Sequence, residues 1–142
     1  MSDTLVIIPT YNEKENIQAI IEAVFNQKKR FHILVVDDNS PDGTADIVER
    51  LITQYSEALF IEKRTGKNGL GTAYIHGFKW AIHKKYDYII EMDADFSHNP
   101  KDLIRLYNAC QKEGADLSIG SRYSQGVNVV TWPMKRELVR SE

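Results

Sequence analysis

The stretch Ile33-Leu34-Val35-Val36-Asp37-Asp38-Asn39-Ser40-Pro41-Asp42-Gly43-Thr44-Ala45-Asp46-Ile47-Val48-Glu49-Arg50-Leu51-Ile52 decides the fold, because its hydrophobic period changes once along its length. Ile33 to Val36 form a short β-branched run of the kind that is buried on both faces of a parallel sheet. Asp37 to Gly43 are turn formers, and Asp42 and Thr44 can cap a following helix. Beyond them Ile47, Val48, Leu51 and Ile52 fall on one stripe of a 3.6-residue period.

The same strand, turn and helix pattern recurs on either side. Upstream, Leu5-Val6-Ile7-Ile8 precedes the stripe Ile17, Ile20, Ile21, Val24; downstream, Leu59-Phe60-Ile61 precedes Leu70, Ala73, Phe78, Ala81, Ile82. Tyr88-Ile89-Ile90 then precedes Leu103, Leu106, Tyr107, Cys110, and Leu117-Ser118-Ile119 closes the series. Asn12 with Glu15 has capping-box spacing, and Asn99-Pro100 sets a cap before a first-turn proline. Strands alternating with helices predict an α/β fold, an open and mostly parallel sheet with helices on both faces and ligands at the carboxyl ends of the strands. No internal repeat, low-complexity tract or linker interrupts residues 1–120.

At 142 residues the chain has the size of one domain, with a hydrophobic content of 42% and a charged content of 27% that are ordinary for a globular protein. The net charge of -2 is unevenly spread: residues 1–120 hold 14 basic and 18 acidic side chains, and residues 121–142 hold four and two. An acidic body argues against nucleic-acid binding, which needs a basic face. The single cysteine, Cys110, forms no internal disulfide and fits a reducing compartment and a core position. No leader follows Met1 and no run approaches 20 apolar residues, so the stretch is expected neither to be exported nor to span a membrane. The pattern changes after Gly120 and stops at Ser141-Glu142 without a terminating signal, as a truncated piece would.

Five polar clusters fall at predicted strand ends. Pro9-Thr10-Tyr11-Asn12-Glu13 offers an aromatic ring and a carboxylate that can meet a nucleobase, although Tyr11 can equally pack and Asn12 cap. Asp37 and Asp38 leave a buried strand, where unpaired charge is costly unless a base imino group, a ribose hydroxyl or a cation meets it. Lys67-Asn68-Gly69-Leu70-Gly71 combines a cation with glycines before a helix, a setting that favours an anion but is also an ordinary turn. Asp93-Ala94-Asp95-Phe96-Ser97 delivers two carboxylates onto a strand's exposed end, where they can grip Mg²⁺ or Mn²⁺ and leave other positions to diphosphate oxygens; Asp95 and Asn99 can alternatively serve as helix caps. Gly120-Ser121-Arg122-Tyr123 brings a guanidinium suited to phosphate, followed by Trp132, Lys135, Arg136 and Arg140. His32, His76 and His83 stand alone and read as surface or core residues, and His98 lies near the acidic pair.

The ordered set Pro9 to Glu13, Asp37 to Thr44, Lys67 to Tyr74, Asp93 to Pro100 and Gly120 to Tyr123 resembles the family 2 glycosyltransferases, in particular the polyprenyl-phosphate branch that contains the dolichol-phosphate mannosyltransferases. Ser40-Pro41-Asp42-Gly43-Thr44 and Gly69-Leu70-Gly71-Thr72-Ala73-Tyr74 are the most specific parts of the match. The resemblance implies a GT-A type nucleotide-diphospho-sugar transferase fold, with residues 1–120 as the nucleotide-sugar-binding catalytic domain and 121–142 as the start of an acceptor-binding segment. It also implies an inverting reaction with GDP-mannose as donor, dolichyl or another polyprenyl phosphate as acceptor, and Mg²⁺ or Mn²⁺ as cofactor.

By the same resemblance Pro9, Tyr11, Glu13, Asp37, Asp38, Lys67, Gly69, Asp93, Ala94 and Asp95 bind the sugar nucleotide. Asp93, Asp95 and Ser97 hold the metal, and Arg122 and Arg136 take the acceptor phosphate; Asp93, Asp95 and Arg122 are the catalytic set. Ser97 stands where relatives often carry glutamine, which puts the third ligand in doubt. Relatives continue into membrane-associated helices, implying a cytoplasmic enzyme peripheral to the cytoplasmic face of a membrane through segments absent from this chain. Two other readings compete: a related transferase using UDP-glucose or UDP-N-acetylglucosamine on a lipid phosphate or glycan, and a receiver-like signalling domain. The receiver reading requires the acid pair after the first strand and a lysine after the last, whereas here Asp37-Asp38 follow the second and Arg122 follows the fifth.

Overall fold

The computed structural model describes residues 4–65, 70–86, 88–92, 94, 104, 117–118 and 127–131. In chain order the elements are β1 (Thr4–Thr10), α1 (Ile17–Phe25), β2 (His32–Asp37), α2 (Thr44–Ile52), β3 (Leu59–Lys63), α3 (Leu70–His83), β4 (Tyr88–Met92), β5 (Leu117–Ser118) and β6 (Val127–Thr131). They form one sheet of order β3-β2-β1-β4-β6-β5. β1 pairs parallel with β2 and with β4, and β2 pairs parallel with β3. The parallel core and the flanking helices are those the periodicity predicts.

One strand was not expected. Val127–Thr131 lies between β4 and β5 and runs antiparallel to both. Its composition of three valines and a threonine is a strand composition, hidden in the sequence by the basic and aromatic residues that follow it. The predicted fourth helix lies outside the described residues apart from Ile104, which is helical and packs on the core.

Side-chain alternation splits the strands' apolar residues between two layers. Val6, Ile8, Ile33, Val35, Ile90 and Met92 face α1 and α2, where Ile17, Ile20, Ile21, Val24, Val48 and Leu51 complete a buried cluster. Leu5, Ile7, Leu34, Val36 and Ile89 face α3 and pack with Ala73, Ala81 and Tyr86. Each fully buried aliphatic side chain contributes about 1.5–3 kcal/mol of transfer free energy. Gly77 lets α3 approach the sheet closely: a Cβ built there would lie 2.8 Å from Cγ2 of Ile7, so any larger residue forces the Ile7 side chain or the helix to shift.

At the amino ends of the strands the packing is aromatic. Phe25 and Tyr55 stack with ring centroids 4.4 Å apart, and Phe60 and Trp80 tilt together at 5.1 Å. His32 Nδ1 lies 2.7 Å from the Tyr86 hydroxyl. Burial lowers the His32 pKa, helped by neighbouring positive charge that includes Arg30, and burial pushes Tyr86 up to about 12. Tyr86 therefore keeps its proton and shares a hydrogen bond with a neutral imidazole. His32 is a core residue, and His76 pairs with Glu62 at 3.0 Å.

Helix α1 starts later than the capping-box spacing predicts. Asn12 takes a left-handed conformation, φ 58°, and the N–H groups of Asn16 and Ile17 both bond to the Glu13 carbonyl, so a turn separates Asn12 from the helix. Asn16 is the residue before the first helical position and makes no side-chain cap. At α2 the Asp42 carboxylate does accept the Thr44 N–H, at 3.0 Å, with Gly43 left-handed between them at φ 94°. Among the described residues no helix is long and apolar enough to cross a membrane.

Candidate functional site

The chain builds β1, β2 and β3 outward in one direction and then returns to place β4 on the other side of β1. In open α/β sheets a reversal of this kind marks the place where ligands bind, at the carboxyl ends of the strands on either side of it, here β1 and β4. The loops after β1 and β2 and the residue after β3 border that place.

Register explains how the site is assembled. Thr10 and Asp37 are direct partners across the β1–β2 pair, and parity turns both toward α1 and α2. The Thr10 hydroxyl donates to Asp37 Oδ1 at 2.6 Å, the Ser40 hydroxyl donates to the same oxygen at 2.7 Å, and the Ser40 N–H reaches Oδ2 at 2.9 Å. Asp37 is 1% exposed, yet it is solvated by these three donors.

Asp38, 6% exposed, is met differently. Arg64 follows β3, and its Nε and Nη2 grip Asp38 Oδ1 and Oδ2 at 2.6 and 2.9 Å in a bidentate fork. The hydrogen bonds that Arg64 donates to Asp38 raise the Arg64 pKa further, against the opposing effect of burial. Arg64 also donates to the Thr72 hydroxyl in the first turn of α3 at 3.2 Å, and its N–H bonds to the Asp37 carbonyl at 2.8 Å. One side chain thus ties the ends of β2 and β3 to the start of α3. Arg64 and Thr72, which stand on either side of residues 66–69 in the sequence, are joined directly.

The loop after β1 carries Tyr11, 37% exposed, and Glu13, half-buried. Pro9 is half-buried within β1 opposite Val36. Ala94, just past β4, is 3% exposed and packs in the α1–α2 layer, so the acidic pair flanks a core residue in sequence. Of the predicted site residues, Pro9, Tyr11, Glu13, Asp37, Asp38 and Ala94 are described and lie at this edge. Lys67, Gly69, Asp93, Asp95, Ser97, Arg122 and Arg136 lie outside the described residues.

Sequence reasoning missed Arg64, and it quoted Thr10 and Thr72 within clusters without giving either a role. Arg64 stands in no cluster, and only the β2–β3 register brings it beside Asp38. A basic residue at the exit of the strand neighbouring an acidic exit was the available signal.

Among the described residues no group of three or more His, Cys, Asp or Glu side chains could hold a metal ion. Of the described acids at this edge, Asp37 and Asp38 are already engaged by hydroxyls, an N–H and a guanidinium, which leaves them poor cation ligands. The oxygen donors of Asp93 and Asp95 suit Mg²⁺ or Mn²⁺ by type.

The sequence profile described as "Glycosyl transferase family 2" matches residues 5–141, nearly the whole chain. The chain belongs to glycosyl transferase family 2. Family members similar to it include the polyprenol monophosphomannose synthase of Mycolicibacterium smegmatis, 49% identical over 133 residues covering 94% of this chain and 50% of the relative. The undecaprenyl-phosphate mannosyltransferase of Micrococcus luteus is 43% identical, covering 95% of this chain and 54% of its own, and the dolichol-phosphate mannosyltransferase of Pyrococcus furiosus is 41% identical, covering 94% and 37%. The chain spans about half the length, or less, of these curated relatives.

Solved structures share the fold. The mannosyltransferase PcManGT of Pyrobaculum calidifontis, in complex with GDP-Man and Mn²⁺, superposes with a TM-score of 0.63 at 24% identity over 82% of this chain and 33% of that one. S. aureus TarS in complex with UDP-GlcNAc superposes with a TM-score of 0.68 at 25% identity over 84% and 34%. The family 2 chain therefore has the GT-A type architecture.

Proposed function

We propose that this chain is the sugar-nucleotide-binding half of an inverting transferase that moves mannose from GDP-mannose to a polyprenyl phosphate such as dolichyl phosphate. The observation that carries the reading is the 41–49% identity, over nearly the whole chain, to three relatives that are all named as transferring or attaching mannose to polyprenyl phosphates. The sheet edge supports it, with an exposed aromatic ring at Tyr11 and a rim of carboxylates, hydroxyls and a guanidinium suited to a nucleoside.

In this proposal Pro9, Tyr11, Glu13, Asp37 and Asp38 bind the nucleoside, and Lys67 and Gly69 sit by the diphosphate. Asp93 and Asp95, with Ser97 as a weaker third donor, hold a divalent cation, and Arg122 and Arg136 take the acceptor phosphate. When bound, the cation supplies charge neutralisation for the departing diphosphate. An oxygen of the acceptor phosphate forms a bond to the anomeric carbon while the bond from that carbon to the GDP oxygen breaks, and the electron pair leaves with GDP. Attack from the opposite face inverts the configuration. A phosphate monoester, with a second pKa of about 6, is already largely ionised near neutrality, so the residues have to orient it rather than deprotonate it. Proximity supplies much of the rate. Residues beyond those of this chain would bring the lipid, placing the whole enzyme at the cytoplasmic face of a membrane.

A thermal-shift screen of GDP-mannose, UDP-glucose and UDP-N-acetylglucosamine, each with and without Mn²⁺, tests the donor. GDP-mannose is expected to stabilise the fold most, and in a metal-dependent way; stabilisation by UDP sugars alone replaces the mannose reading with the UDP alternative. Asp95→Ala is expected to remove the metal-dependent part of donor binding with the melting temperature of the free protein unchanged. GDP-mannose affinity in Mn²⁺ equal to that of the parent protein removes Asp95 from the metal site.

A further inference from the structure

The motif Ser40-Pro41-Asp42-Gly43-Thr44 is left without a role by the proposed donor contacts, yet three of its side chains make an unusual set of bonds. Three consecutive N–H groups of the loop after β1 each end on a different one of them. Asn12 N–H donates to Ser40 Oγ at 2.8 Å, Glu13 N–H to Thr44 Oγ1 at 3.0 Å, and Lys14 N–H to Asp42 Oδ2 at 3.2 Å.

The acceptors are themselves fixed. A hydroxyl has one proton; that of Ser40 goes to Asp37 Oδ1 and that of Thr44 to Asp42 Oδ1, which leaves only lone pairs for the backbone. Two carboxylates thus act through two hydroxyls on the N–H groups, and hydrogen bonds anchored on a charge are the stronger kind. Thr44 is fully buried, so no water can replace its oxygen as partner for Glu13. The bonds also hold Asn12 at φ 58°, a conformation that is uncommon for a residue with a side chain and that asparagine tolerates. Tyr11 and Glu13, the two side chains proposed to meet the nucleoside, flank Asn12 on this loop.

We infer that Ser40, Asp42 and Thr44 are positioning residues, a clasp that holds the backbone of residues 11–14 in the one shape that presents Tyr11 and Glu13 to the donor, without touching the donor. The inference rests on the donor-site reading above. It separates the segment from Asp37 to Thr44 by role: Asp37 and Asp38 belong to the proposed nucleoside contacts, and Ser40, Asp42 and Thr44 preset the loop after β1.

The test uses the full-length enzyme, GDP-mannose with Mn²⁺ and a polyprenyl phosphate acceptor. Thr44→Val keeps shape and removes the oxygen. It is expected to raise the donor KM about tenfold with kcat within about twofold, the signature of lost ground-state binding, and to speed amide exchange at Glu13. Thr44→Ser, which restores the acceptor, is expected to return both to parent values. Should Thr44→Val not fold, Ser40→Ala is read the same way, with Asn12 as the reporting amide. Faster exchange in residues 12–14 with an unchanged donor KM overturns the clasp and leaves the donor site standing. A Thr44→Ser variant as impaired as Thr44→Val also overturns it. A parent protein that binds no sugar nucleotide at all sinks the donor-site reading, and the clasp's purpose with it.

Discussion

At the carboxyl ends of β1, β2 and β3 the side chains that meet are Thr10, Asp37, Asp38, Ser40 and Arg64, whereas around the amino ends of the strands they are His32, Phe60, Trp80 and Tyr86. The first group is joined by directional hydrogen bonds, several of them charged; the second by stacked and tilted rings. Directional bonds fix loop geometry but add little net stability, because each replaces bonds to water. Apolar burial adds stability without fixing any atom to a tenth of an ångström. The comparison teaches that this domain keeps its stability and its recognition at opposite ends of the same strands, so each can be changed while the other is watched.

The largest effect on stability is expected from Phe31→Ala at the amino end, where the ring is 1% exposed. Removing it is expected to cost about 4 kcal/mol in urea unfolding, with GDP-mannose affinity unchanged within about twofold by calorimetry. A larger loss of affinity means the two ends are coupled and breaks the comparison. Arg64→Ala follows, because it strands the buried Asp38 carboxylate: about 3 kcal/mol of stability is expected to go, and donor affinity with it. Arg64→Lys is expected to recover only part of either, since an ammonium cannot reproduce the fork seen at 2.6 and 2.9 Å. Full recovery by lysine shows that charge alone matters there.

Smaller effects sharpen the contrast. Tyr86→Phe removes the hydroxyl that hydrogen-bonds His32 Nδ1 and is expected to cost about 1 kcal/mol, with no change in sugar-nucleotide affinity. The two ends should also respond differently to acid. The folded pKa of His32 is depressed, so the stability it contributes is fully present above its unfolded value of 6.5 and is lost as pH falls from there toward the folded value. Desolvation pushes the Asp42 carboxyl up, but the Thr44 hydroxyl, the N–H groups of Lys14 and Thr44 and the Lys14 charge outweigh it and hold the pKa below 3.8. Its contribution is present above 3.8 and is lost only as pH falls through the lower folded value. Between pH 7 and 5, urea unfolding is expected to show declining stability that His32→Gln abolishes, while amide protection of Lys14 stays constant once corrected for the intrinsic exchange rate. Loss of that protection above pH 5 removes Asp42 as its anchor.

Most of the sheet was legible because β1, β2, β3 and β4 are apolar on both faces, and continuous runs such as Ile33 to Val36 have few other uses. The sites at strand ends were legible for the same reason, as a polar cluster that follows a buried strand must emerge at the sheet's edge. Three things were not. The start of α1 was misread because Asn12 and Glu15 have the right spacing, but spacing cannot register that Asn12 turns left-handed to reach Ser40. The pairing of Asp38 with Arg64 spans 26 positions and is decided by register, which no local pattern carries. The regular alternation of strand and helix also hid β6, since it breaks that alternation by entering antiparallel.

That late strand has a bearing on how the protein can be handled. Its ladder on β4 runs from Tyr88–Thr131 to Met92–Val127, so β4 lies between two neighbours although its parallel partner is only β1. A chain cut before Val127 would leave the outward row of β4 amides and carbonyls bare, next to a face rich in isoleucine, and unguarded edges of that kind recruit one another into aggregates. Minimal versions of this domain made for crystallisation or engineering should therefore be trimmed no further back than residue 131.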